Sequence, residues 1–164
     1  MRFKIINIIL ILFMFSSCGY APMYVENSNQ SIKILINGKG GDRDTNNLIE
    51  SNLKNYLNND SDNIFTIKIF TEHQKKSLAK DTSGKTTDYQ MEISANFQIN
   101  KQNKINEIKF IETFNYKSMD DKISEINYEN TIKKNMADII VRKLISNLSR
   151  MKWLLKVMIT KKST

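Results

Sequence analysis

The chain has 164 residues, 40% of them hydrophobic, with a formal net charge of +8, one histidine, one cysteine and one proline. That length suits one domain with its own core, while the single cysteine excludes an internal disulfide and the single histidine leaves few partners for a catalytic triad or a histidine metal site. The charge lies at the two ends, and between Cys18 and Ser149 only 18 basic residues face all 17 acidic ones; a nucleic-acid binder carries its charge on the domain, so no nucleic-acid partner is expected.

Arg2 and Lys4 open the chain, residues 5–15 are apolar apart from Asn7, and Ser16 and Ser17 precede Cys18. This order reads as a lipoprotein signal peptide over 1–17. The apolar run is about half of the roughly 20 residues a membrane-spanning helix needs. Cys18, with no disulfide partner, is the expected lipidation site, although Phe15 stands where lipoprotein boxes usually carry Leu. Residues 18–30 are polar, hold Pro22, and read as a lipidated tether to a domain over 31–149.

In 31–36, Ile32, Ile34 and Ile36 alternate with Ser31, Lys33 and Leu35, as in a strand buried mainly on one side. Residues 37–41 are expected to break it as a turn, and the glycines of Lys39-Gly40-Gly41-Asp42 lack the spacing of a phosphate loop. Asp44 or Thr45 is expected to cap a helix whose face of Leu48, Ile49, Leu53, Tyr56 and Leu57 runs to about Asn58. A second strand over 64–71 sets Phe65, Ile67 and Ile69 on one face.

Residues 72–85 lack a period and are expected to form a basic loop carrying Lys75, Lys76, Lys80 and Lys85. His73, at its start, reads as a packed or solvated histidine. Clustered ammonium groups hold phosphates as point charges, which makes these four lysines candidates for binding lipopolysaccharide (LPS) in an envelope protein. The plain alternative is a solvated charged loop.

The cleanest pattern follows, with Tyr89, Met91, Ile93, Ala95, Phe97 and Ile99 alternating with polar residues, the signature of a sheet covered on one side. A hairpin turn over 100–104 leads to a strand over 105–117 with Ile108, Phe110, Phe114 and Tyr116 inward. Asp120 and Asp121 suit a helix cap better than an acid–base pair. Tyr128, Ile132, Met136, Ile139, Ile140, Leu144 and Leu148 then keep helical spacing. In the basic tail, 150–164, Trp153, Leu154, Val157 and Met158 fit a continuation of that helix or a partner contact better than a membrane-surface segment.

The order β-α-β-β-β-α predicts an α+β, two-layer sandwich: two helices packed on one face of a four-stranded mixed sheet. The first two strands should be parallel across the helix between them, and the last two should form an antiparallel hairpin. Neither a catalytic nor a metal motif is found, so a non-enzymatic binding or assembly protein without a cofactor is expected.

Three segments resemble the LPS-assembly lipoproteins of the LptE family. Residues 18–24, Cys-Gly-Tyr-Ala-Pro-Met-Tyr, resemble its Cys-Gly-aromatic-x-Pro-Leu-Tyr start. Residues 80–91 resemble its Lys-Asp-x-x-Gly-x-x-Thr-x-Tyr segment leading into a long strand. Residues 137–144, Ala-Asp-Ile-Ile-Val-Arg-Lys-Leu, are similar to its closing helix. The resemblance implies a four-stranded mixed sheet with two helices and an outer-membrane lipoprotein that sits inside an LptD-type β-barrel, assists its assembly and helps deliver LPS to the cell surface. A lipid-binding carrier lipoprotein unrelated to the barrel is the alternative.

Overall fold

A computed structural model describes residues 32–57, 61, 63–101 and 104–162, with side chains through Met151. Cys18, the signal segment and the tether lie outside the described residues, as do the side chains of the tail from Lys152 onward. The elements run β1 (Lys33–Gly41), α1 (Arg43–Lys54), β2 (Ile64–Lys80), β3 (Thr86–Lys101), β4 (Lys104–Lys117) and α2 (Lys122–Lys162). The strands lie side by side in chain order. β1 pairs parallel with β2, while β2–β3 and β3–β4 are antiparallel. This is the two-layer α+β arrangement expected from the order of elements.

Alternation decides which face is covered. Phe65, Ile67 and Ile69 of β2 and Met91, Ile93, Ala95, Phe97 and Ile99 of β3 are buried under the helices. α1 lies over β1 and β2, α2 over β3 and β4, and the two helices touch. α1 contributes Ile49 and Leu53, and α2 contributes Ile132, Met136, Ala137, Ile140, Val141, Leu144 and Leu148. Each large aliphatic side chain so buried is worth about 2 kcal/mol of transfer free energy. The opposite face of the sheet is uncovered and mixed: exposed Leu35, Phe70 and Ile111 stand among polar cross-strand pairs such as Gln98 to Glu107 at 3.1 Å and Gln90 to Asn115 at 3.0 Å.

Three expectations are corrected. Residues 37–41 do not end the first strand; a register shift between Ile36 and Gly38 absorbs one residue and β1 continues to Gly41. Phe70 lies across the bare backbone of Gly40, where a Cβ would stand 2.9 Å from its ring. The cap of α1 is Asp42, whose carboxylate accepts the Thr45 amide at 2.8 Å, and not Asp44 or Thr45. Gly41, at φ +80°, makes the corner between them, and Asp42 N–H donates to Thr71 O at 2.8 Å.

The third correction is the largest. Residues 72–80, expected as the first part of a basic loop, continue β2 and pair with β3 from Glu72↔Ser94 to Lys80↔Thr86. Only residues 81–85 turn. Asp81 builds that turn, its Oδ1 accepting from Ser83 N–H (2.9 Å), Ser83 Oγ–H (2.6 Å) and Lys85 N–H (2.9 Å), with Gly84 at φ +85°. At the far end of β4, Asp121 caps α2 by accepting from Ser124 N–H at 2.8 Å, as expected.

Candidate functional site

The four candidate lysines do not form one cluster. Successive residues of a strand point to opposite faces, so placing 72–80 in β2 sends Lys75 toward the helices and Lys76 to the uncovered face. Lys76 lies 3.6 Å from Glu92 there. Lys80 and Lys85 flank the turn; Lys80 is exposed with no ion pair among the described residues, and Lys85 reaches Asp120 at 3.1 Å with both side chains exposed. The Asp120 carboxylate raises the Lys85 ammonium above its ordinary range.

Lys75 turns toward α2 and is tied down there, its side chain 28% exposed. Its Nζ donates to Glu125 Oε1 at 3.1 Å and to Glu129 Oε1 at 2.5 Å, both on the first turns of α2. It also stands 3.8 Å from the centre of the Tyr89 ring, a cation–π contact. Tyr89 stacks on Tyr116 with ring centres 5.6 Å apart, and Tyr116 meets Tyr128 edge-on at 6.0 Å. Tyr116 O–H donates to Glu129 Oε1 at 2.7 Å. Glu125 is 2% exposed, yet its oxygens accept from Lys122 Nζ (2.7 Å), Met119 N–H (3.0 Å) and Lys75. The Lys122 and Met119 hydrogen bonds, with Lys75 behind them, hold its carboxyl at about 2 against the opposing effect of burial. Burial opposes charge on Lys75 as well, but the Glu129 and Glu125 hydrogen bonds prevail and raise its ammonium.

This cluster explains why residues 72–80 show no apolar period. The inward positions of β2 change there from Ile69 to Thr71, His73, Lys75 and Ser77, matching a polar and aromatic lining. Alternation persists, but its inward residues are polar. The legible signal was Glu125 and Glu129, one helical turn apart on the same face of a helix, opposite a strand lysine.

His73 is half-buried on the same face, and its Nε2 is buried without a partner. Burial and the nearby Lys133 hold its imidazole below the ordinary range, against the opposing carboxylates of Asp42 and Glu129. Among the described residues, no group of His, Cys, Asp and Glu is placed to hold a metal ion. No helix among them is long and apolar enough to cross a membrane.

The hairpin end also carries exposed apolar side chains: Leu78, Phe114, Ile123, Ile126 and Tyr128, with Ile123 70% exposed. Phe114 shares the inward face of β4 with Tyr116 but lies at its uncovered margin. Ammonium groups and apolar surface therefore share one end of the molecule.

No family model matches the chain, and no curated protein matches it. Solved structures do share its fold. The crystal structure of the rare lipoprotein B from Shewanella oneidensis superposes with a TM-score of 0.60 at 10% identity, covering 77% of this chain and 98% of that one. The minor lipoprotein from Acinetobacter baumannii superposes at 0.54 and 18% identity, covering 73% and 92% respectively. At such identities the likeness is one of fold.

Proposed function

We propose that this chain is a lipoprotein of the outer membrane, anchored through Cys18, that serves as a non-catalytic subunit of an LPS translocon. In that role it assists assembly of an LptD-type β-barrel and delivery of LPS. The basic and apolar lipoprotein-type start, the three segments that resemble the LptE family, and a fold shared with two lipoproteins support the anchor.

The observation that carries the lipid reading is the hairpin end. There exposed Lys80 and Lys85 share one end of the molecule with exposed Leu78, Ile123 and Ile126, so that end offers both ammonium groups and apolar side chains. LPS presents phosphates on an acylated sugar and matches both. Lys75 now serves this reading as a support of the hairpin, and Lys76 as a flanking charge. The alternative, a lipid carrier, calls for an apolar cavity; the described space between helices and sheet is filled by Phe65, Phe97, Ile99 and Leu144, none measurably exposed.

Purification of the tagged chain from the envelope in mild detergent tests the partner. A co-purifying large β-barrel is expected, and a monomer free of any barrel overturns the translocon reading. Replacing Lys80 and Lys85 by Ala tests the lipid site. Without their ammonium–phosphate hydrogen bonds, LPS affinity should fall about tenfold while the fold is unchanged. Unaltered affinity returns these lysines to ordinary solvated surface.

A further inference from the structure

A second basic feature lies well away from the hairpin. Between α2 and the edge strand β4 runs a groove of about 440 Å³ lined by Phe110, Arg142, Lys143, Ser146, Asn147 and Arg150. Arg142, Ser146 and Arg150 are spaced four apart and stand in one row of the helix, with Lys143 and Asn147 in the next. Phe110 forms the wall on the β4 side, half-buried with its ring 6.0 Å from Phe97.

The charges of the groove are incompletely matched. Lys143 is taken by Glu112, and Arg142 Nη2 lies 3.2 Å from Asp138. A guanidinium has five N–H donors, so this single contact leaves most of the Arg142 fork open. Arg150 has no carboxylate among the described residues; its Nε points to Ser146 O at 3.5 Å. Two arginines with open forks flank a serine and share the groove with the Phe110 ring.

We propose that this groove binds the headgroup of an anionic phospholipid. Guanidinium forks match the oxygens of a phosphodiester, and the Phe110 ring offers apolar surface to the glycerol and upper acyl chain. A free phosphate leaves Phe110 unused, and a choline headgroup sets its own cation against the arginines. Past the groove α2 continues to Lys162 through a stretch with Lys152, Lys156, Lys161, Lys162 and no acid, which complements a negative lipid surface. Arg142 lies about 25 Å further along α2 than Glu125, so this site is separable from the hairpin lysines. The inference stands independently of the LPS reading.

Native mass spectrometry of the full chain in neutral detergent, doped with equal phosphatidylglycerol and phosphatidylcholine, reads the preference directly. Phosphatidylglycerol adducts should exceed phosphatidylcholine adducts about tenfold, because both present a phosphodiester but only choline sets a cation against the arginines. Arg142→Ala with Arg150→Ala should bring the two to parity, whereas Lys80→Ala with Lys85→Ala should leave the preference intact. Circular dichroism checks the folding of the double variant, and Arg150→Gln replaces it if the fold is lost. Parity in the unaltered chain overturns the site, as does a preference that survives loss of both arginines. Inorganic phosphate adducts as abundant as the lipid overturn the headgroup assignment.

Discussion

Lys75 Nζ and Glu125 Oε1 lie 3.1 Å apart and tie the distal half of β2 to the first turn of α2. The Glu125 side chain is 3% exposed and that of Lys75 28%. A buried charge that loses its partner costs more than the pair contributes. Lys75→Met should therefore destabilise the domain by about 1–3 kcal/mol, less than for a fully isolated pair because Lys122 still serves Glu125. Glu125→Gln should cost a similar amount, and the double variant should fall short of the sum by about 1 kcal/mol. Urea unfolding midpoints of the four proteins measure this coupling; strict additivity contradicts it.

Acid should act through the same carboxyl. Glu125 titrates at about 2 in the folded chain and near 4.5 without its partners, so the unfolded state takes up the proton first. Its stabilisation is complete above about pH 5 and is lost as pH falls toward 2, by on the order of 2 kcal/mol. Glu125→Gln should flatten the stability profile across that window while leaving the slope above pH 6 unchanged. An unaltered acid limb contradicts the assignment.

The two glycines with positive φ among the described residues should respond very differently to alanine. At Gly41 a Cβ would stand 1.8 Å from Thr71 O, inside the corner that joins β1 to α1. Gly41→Ala requires that backbone to move and should cost at least about 3 kcal/mol. At Gly84 a Cβ meets nothing within 4 Å, so Gly84→Ala should cost only the left-handed backbone penalty of about 1–2 kcal/mol. Thermal melts of the two variants compare them, and equal shifts contradict the geometry.

The order of elements and the buried face of β3 were legible because Met91, Ile93, Ala95, Phe97 and Ile99 alternate without a break. Residues 72–80 were not, for a definite reason. Hydrophobic periodicity reports a strand only where the inward residues are apolar, and His73, Lys75 and Ser77 face carboxylates and tyrosines. The glycines at 38, 40 and 41 misled in the opposite way. Gly40 accommodates the ring of Phe70 within a strand, and only Gly41 makes a corner. The candidate lysines were visible as residue types, but their distribution depended on strand register. That register placed Lys75 on the helix side of the sheet, Lys76 on the uncovered side, and left Lys80 and Lys85 at the tip.

The parallel pairing of β1 has a consequence for the sequence of folding events. The β2–β3 and β3–β4 hairpins close from their turns, each new pair adding little chain to a loop already formed. Every β1–β2 pair instead closes about thirty residues at once, with α1 between, so β1 has no short-range step from which to start. The meander of β2, β3 and β4 should assemble first, and β1 should join late. Ile93→Val should accordingly slow refolding, whereas Ile34→Val should chiefly speed unfolding, as stopped-flow kinetics would record. The segment that leads back toward the chain's start is thus the last to be locked in place.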